Sequence, residues 1–312
     1  MSNTLLSGKF LIRTYRGGNF VTARDGGHHT IDALISSATT PGPNEVFTIN
    51  DSDNFKFFVV TAGNVILSAR FGGGTGATND DQTFQTERIE LAPDALFALT
   101  GAGQDGTFSI QTETGNFVTA VGGGGHPTRA FHTDATAAST WEKFYLLKTG
   151  DLGSGHQYAI RPTGTGNIPG KGETLSYLTA NNGGGRIVNA MTANSPLVDN
   201  SKFRLSKQPD GSFAFLTPNG FNVLTADDGG GLAHGTPQMD NLITTKSRLQ
   251  IQDWEKFKIA ETSPGEYTIQ TVSGFFIGVK NDFSNISTRI SFPDQAPSIG
   301  YTATFELIMT SN

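Results

Sequence analysis

No cysteine occurs anywhere in the chain, which excludes a disulfide framework, a thiolate nucleophile and a Cys-ligated metal. Charge is scarce as well, with Asp, Glu, Lys and Arg making 16% of residues against about 25% in an average soluble protein. The 22 basic and 28 acidic residues give a net charge of −6, and no basic run exists to neutralise phosphates. A nucleic-acid partner is therefore not expected. The longest apolar runs, such as Phe57–Val60 and Val65–Leu67, fall far short of the ~20 residues a membrane helix needs, so no membrane insertion is expected. Nothing in Met1–Phe10 reads as a Sec signal peptide. The expected location is the cytoplasm, or the exterior after release without such a signal. No segment keeps helical periodicity over three turns.

What the chain has instead is glycine, 39 of 312 residues, arranged in a repeat. One phrase recurs as Asn19-Phe20-Val21-Thr22-Ala23, Asn64-Val65-Ile66-Leu67-Ser68-Ala69, Asn116-Phe117-Val118-Thr119-Ala120, Tyr177-Leu178-Thr179-Ala180 and Asn222-Val223-Leu224-Thr225-Ala226. A degraded sixth copy stands at Phe275-Phe276-Ile277-Gly278-Val279. Glycine runs follow five of them, at Gly26-Gly27, Gly72–Gly74, Gly122–Gly125, Gly183–Gly185 and Gly229–Gly231, and Asn281-Asp282 follows the sixth. A second phrase closes every copy on a phenylalanine: Phe47, Phe97, Phe144, Phe203, Phe257 and Phe305. Successive spacings of 50, 47, 59, 54 and 48 residues set a period near fifty. The long member carries a Gly/Pro-rich insertion from Arg161 to Gly170.

Each copy opens on an alternating stretch such as Phe10-Leu11-Ile12-Arg13 or Tyr267-Thr268-Ile269-Gln270. Alternation of β-branched and aromatic residues between turn signals predicts short half-buried strands, about four per repeat and some 24 in all. The fold class is thus all-β. Six copies of fifty residues fit a six-bladed propeller or two β-trefoils of three copies each. The break at Lys148–Gly155, midway along the chain, favours two tandem trefoils, residues 1–150 with repeats 1–3 and residues 151–312 with repeats 4–6.

The phrase Tyr177-Leu178-Thr179-Ala180-Asn181-Asn182-Gly183-Gly184-Gly185, with Trp254-Glu255-Lys256-Phe257 closing a repeat, resembles the fascin-like family of β-trefoils. The resemblance runs through nearly the whole chain and is strongest in the copies closed by Phe144 and Phe257. It implies the trefoil fold and, as a function, actin-filament binding or bundling. Fold transfers along such a likeness better than function does.

Catalytic motifs are missing. The chain has no nucleophile elbow, no His-Glu-x-x-His and no Walker loop. Gly101-Ala102-Gly103-Gln104-Asp105-Gly106 matches a dinucleotide fingerprint, but a strand follows it, so no helix N-terminus stands ready for a pyrophosphate. Asp51-Ser52-Asp53 starts like a calcium loop and lacks the glycine and glutamate that complete one. No enzyme activity, cofactor or metal is expected.

The polar residues flanking the glycine runs are the candidate ligand-binding positions: Asp25, His28, His126, Asn181, Asn182, Arg186, Asp227, Asp228 and His234. Two readings stand side by side. Asn and Asp accept the positive φ that such turns need. Amides and carboxylates beside an exposed aromatic also suit the vicinal hydroxyls and pyranose face of a sugar. Trp141 and Trp254, three residues before a closing Phe, are read as fillers of the barrel end. The leading function is a non-enzymatic, multivalent, lectin-like module for a glycan or polysaccharide, the alternatives being an actin filament or another protein partner.

Overall fold

The computed structural model describes residues 7–75, 82–101, 105–153, 155–163, 175–187, 189–231, 242–280, 286–291 and 301–311. They form 25 strands and nine short 3-10 turns, and among the described residues there is no α-helix. The chain divides into two compact units, Met1–Asp151 on one side and Leu152–Ile168 with Glu173–Ser311 on the other.

In the first unit, the first repeat supplies β1 (Gly8–Thr14), β2 (Phe20–Ala23), β3 (Leu34–Ala38) and β4 (Val46–Asp51). The second supplies β5 (Lys56–Val60), β6 (Ile66–Ala69), β7 (Phe84–Arg88) and β8 (Phe97–Thr100), and the third β9 (Ser109–Gln111), β10 (Phe117–Ala120), β11 (Phe131–Ala135) and β12 (Phe144–Thr149). The outer strands of the repeats pair in a ring, β1 with β4, β4 with β5, β5 with β8, β8 with β9, and β12 back to β1. The bridge between Phe108 and Phe144 closes the remaining side. The inner strands pair within their own repeat as hairpins β2–β3, β6–β7 and β10–β11. Three ring residues, Ile12, Val59 and Ile110, meet hairpin residues such as Val21, Leu67 and Val118 around one apolar cavity of about 30 Å³. A closed six-stranded barrel capped by three hairpins is a β-trefoil.

The second unit repeats the plan. Its strands are β13 (Gln157–Pro162), β14 (Tyr177–Ala180), β15 (Met191–Ser195), β16 (Lys202–Lys207), β17 (Phe213–Leu216), β18 (Thr225–Ala226), β19 (Leu242–Ile243) and β20 (Phe257–Ser263). The last repeat adds β21 (Glu266–Thr271), β22 (Phe275–Lys280), β23 (Ile286–Ser291), β24 (Tyr301–Thr302) and β25 (Thr304–Ser311). The ring β13–β16–β17–β20–β21–β25 closes on itself, and β14–β15, β18–β19 and β22–β23 are its hairpins. The strand β24 pairs beside β22 and brings the total one above four per repeat.

The repeat phrases map onto this plan in phase. All six closing phenylalanines lie at 0–1% exposure on the ring strands β4, β8, β12, β16, β20 and β25. Burying such a ring contributes about 1.5–3 kcal/mol relative to leaving it exposed. The insertion read from Arg161 to Gly170 begins at the end of β13 and lies from residue 164 outside the described residues, as does Asn281-Asp282.

Candidate ligand-binding turns

After each Thr-Ala or Ser-Ala the chain leaves the hairpin strand through one 3-10 turn. The amide of its fourth residue closes it onto the first carbonyl, from Gly27 to Arg24 (2.8 Å), Gly73 to Arg70 (3.0 Å), Gly124 to Val121 (2.9 Å), Gly184 to Asn181 (3.2 Å) and Gly230 to Asp227 (2.9 Å). The second residue of each turn is left-handed: Asp25 (φ 50°), Phe71 (58°), Gly122 (60°), Asn182 (57°) and Asp228 (52°). Asp, Asn and Gly tolerate that conformation, while a bulky Phe adopts it under strain.

The glycine runs join neighbouring repeats. The carbonyl of the buried turn glycine accepts an amide from the first hairpin of the next repeat: Gly63 N to Gly26 O (2.8 Å), Thr114 N to Gly72 O (3.0 Å), Gly17 N to Gly123 O (2.8 Å) and Asn219 N to Gly183 O (3.0 Å). The following glycine packs against a strand-end threonine, so a methyl on Gly124 would stand 2.5 Å from Thr14 Oγ1 and one on Gly184 2.7 Å from Thr217 Oγ1. Beyond it the backbone joins the next repeat's hairpin, with Ser36 N to His126 O at 2.9 Å and Thr244 N to Arg186 O at 2.9 Å. The main chain at these positions is thus committed to the fold.

Of the positions read from sequence, Asp25, His28, Asn182 and Asp228 are exposed, and His126, Asn181, Arg186 and Asp227 are half-buried. His234 lies outside the described residues. Some of these side chains already have partners, since Asp25 Oδ2 meets His29 Nε2 at 3.0 Å and Asn181 donates to the carbonyl of Asn189 at 2.6 Å.

The tryptophans are not barrel fillers. Trp141 is 44% exposed and Trp254 42%. The reason lies in the turn before the closing strand, where the inward position falls to the next residue. Glu45, Glu142 and Glu255 are buried and accept the amides of Gly42 (2.7 Å), Ser139 (2.7 Å) and Gln252 (2.9 Å). The residue before each of these glutamates then faces outward beside the buried glycine. A methyl on Gly123 would stand 3.6 Å from Trp141 Cδ1, and one on Gly229 3.5 Å from Trp254 Cδ1. Asn44 and Asn200 take the same place beside Gly26 and Gly183, each at 3.2 Å.

A third contributor comes from the neighbouring repeat. Arg16 reaches Gly123, with its Cγ 2.7 Å from a methyl built there, Ser273 Oγ stands 2.5 Å from the equivalent point on Gly229, and Asn219 adjoins Gly183. The turns therefore differ in chemistry. The first offers Asp25 and Asn44, the fourth Asn182, Asn200 and Asn219, the third Trp141 and Arg16, and the fifth Asp228, Trp254 and Ser273. The second carries its aromatic at the tip, where Phe71 is 76% exposed under the Arg70 guanidinium, 4.8 Å from the ring centre.

At the fifth turn Trp254 lines an open depression of about 460 Å³ with Lys246, Gln252, Asp253 and Glu255. Among the described residues no group of three or more His, Asp or Glu side chains could hold a metal ion.

No family model matches the chain, and no curated relative does. Among solved structures it is similar to a mosquitocidal holotoxin at 9% identity and a TM-score of 0.40, over 98% of this chain and 34% of that one. It is also similar to ThreeFoil, a designed threefold-symmetric protein, at 12% identity and a TM-score of 0.39, over 46% of this chain and 99% of that one. A lectin of Polyporus squamosus matches at 16% identity and a TM-score of 0.35, over 46% of this chain and 49% of that one. The chain spans about a third of the length of the holotoxin.

Proposed function

We propose that this β-trefoil chain is a non-enzymatic, lectin-like module that binds glycans at its glycine-turn surfaces, acting in the cytoplasm or after release without a Sec-type signal. The observation that carries the reading is the half-exposed Trp254, standing in an open depression with Lys246, Gln252 and Asp253 and beside the exposed Asp228 turn. An indole face accepts the C–H side of a pyranose, while nearby amide, ammonium and carboxylate groups bond its hydroxyls in fixed directions. Trp141 gives the first unit the same element. Kinship to the fascin-like trefoils belongs to the same proposal and rests on the Thr-Ala, glycine-run and Trp-Glu-Lys-Phe phrases.

A printed glycan array, run beside an actin co-sedimentation assay, tests the reading. Retention of the parent chain on a defined glycan class is expected, with Trp254→Ala or Asp228→Ala weakening it about ten-fold, the equivalent of about 1.4 kcal/mol. Pelleting on filaments with an empty array would transfer the function to actin.

A further inference from the structure

The two tryptophan turns share a backbone and an indole but differ in the charged side chains at the tip and on the facing repeat. At the third turn Gly122 leaves the tip bare, and the Nε2 of His126 stands 2.9 Å from where a methyl on Gly122 would be. Arg16 and Trp141 close on Gly123 from two sides. Arg16 is exposed, and neighbouring carboxylates are engaged elsewhere: Glu142 is turned inward onto Thr119 and Ser139, and Asp105 is held by Lys143 at 2.8 Å. At the fifth turn the equivalents of Gly122 and Arg16 are Asp228 and Ser273, while Asp253, before Trp254, lies 3.4 Å from Lys256 Nζ and Lys246 lines the same depression.

Resting on the glycan-binding reading above, we infer that the two sites divide ligands by charge. The Trp141 site takes an anionic sugar, whose carboxylate or sulfate meets the Arg16 guanidinium while the ring lies on the indole. The Trp254 site takes a neutral sugar, because the exposed Asp228 stands where the third turn has Gly122 and Ser273 takes the place of Arg16, so the tip carboxylate accepts hydroxyl donors and opposes a fixed negative charge. Guanidinium is suited to this role by its planar fork of donors, which matches the two oxygens of a carboxylate or sulfate. Discrimination between two ligands is set by the contacts that disfavour one as well as by those that favour the other.

The test is an array that prints neutral oligosaccharides beside their sialylated, sulfated and glucuronylated forms, probed with the full chain and with Trp141→Ala, Trp254→Ala and Arg16→Gln. Trp141→Ala is expected to remove acidic glycans and spare neutral ones, and Trp254→Ala to do the reverse. Arg16→Gln keeps most of the aliphatic stem and the fold, and should cost acidic glycans about ten-fold, with the remaining binding less sensitive to added salt. If both tryptophan variants lose the same glycans in the same proportion, or Arg16→Gln leaves acidic binding intact, the division by charge is wrong while glycan binding stands. If the parent chain binds no glycan, the underlying reading fails and the division with it.

Discussion

The hydroxyl of Thr119 donates to Glu142 Oε1 at 2.8 Å, joining the hairpin strand of the third repeat to the turn that precedes its closing strand. Glu142 also accepts the amide and the hydroxyl of Ser139, at 2.7 and 2.6 Å. In the fourth repeat the same joint is made by two hydroxyls, Thr179 and Ser201, 2.7 Å apart. The Thr of one sequence phrase and the Glu or Ser of the other are therefore one structural unit, although 23 and 22 positions separate them and the second hairpin strand lies between. That unit presents the outward residue, Trp141 or Asn200, beside the glycine turn.

Removing the carboxylate should destabilise the first unit. Glu142→Ala leaves the buried hydroxyl of Thr119 without its acceptor and removes the partner of the exposed Ser139, a loss of about 1–3 kcal/mol that falls mainly on the buried bond. A cycle with Thr119→Val isolates the 2.8 Å bond, because the two losses should not add. Burial by itself would raise the Glu142 pKa, but hydrogen bonds from Ser139 and Thr119 outweigh it and hold the group below its ordinary 4.5. The folded pKa is depressed, so the contribution is complete above pH 4.5 and is lost as pH falls through the folded value. Urea titrations between pH 7 and 3 should show the gap between wild type and Glu142→Gln narrowing as the pH drops. A constant gap would mean that the carboxylate is not the acceptor that matters.

Much of the fold was legible because each repeat states it again. Six phenylalanines at a period near fifty mark the barrel, and six of six are buried on ring strands. The left-handed tips were legible at Asp25, Asn182 and Asp228, since Asp and Asn announce such a conformation. Phe71 does not, and its tip could be inferred only by alignment with the other copies. The tryptophans were misread because spacing from a buried Phe does not say which neighbour turns inward, and here Glu142 and Glu255 take that place. Arg16 was invisible for a different reason. It comes from the first repeat and faces a glycine of the third, a contact made by ring closure that no local pattern encodes.

The turn glycines should separate into two cost classes. Gly115 has φ +85° and no described atom within 4 Å of a built methyl, so Gly115→Ala carries the left-handed penalty alone, about 1–2 kcal/mol. Gly124 has φ +117° and the same substitution drives a methyl to 2.5 Å from Thr14 Oγ1. Overpacking of about 1–3 kcal/mol then adds to the conformational term. Equal midpoints for the two variants in chemical denaturation would show that the glycine run does not clamp neighbouring repeats.

Each ring closes within its own unit, so the units should fold separately. Residues 1–151 and 152–312, expressed apart, are expected to give one cooperative transition each. Phe144→Ala should lower the first transition by about 3–5 kcal/mol and leave the second in place, with Phe257→Ala doing the converse. Calorimetry of the full chain reads both effects in one scan. A single merged transition lowered by either variant would mean that the two barrels unfold as one.

Phe71 offers the sharpest conflict between stability and role. It is a bulky residue at φ 58° with its ring 76% exposed, at the position where the other repeats place Asp, Gly, Asn and Asp. A left-handed conformation costs an ordinary L-residue about 1–2 kcal/mol, and Asn much less. Against that, the ring gains a cation–π contact with Arg70, worth about 0.5–1 kcal/mol at an exposed site. The difference favours substitution, so Phe71→Asn is expected to stabilise the first unit by about 0.5–1 kcal/mol in urea denaturation. A residue kept where a better-tolerated one exists points to use of its exposed ring, because strain of this kind gathers at functional positions. Phe71→Asn should therefore gain stability and lose glycan retention together. A variant that is less stable than the parent would show that the Arg70 contact outweighs the strain, and would return Phe71 to a structural part in the turn.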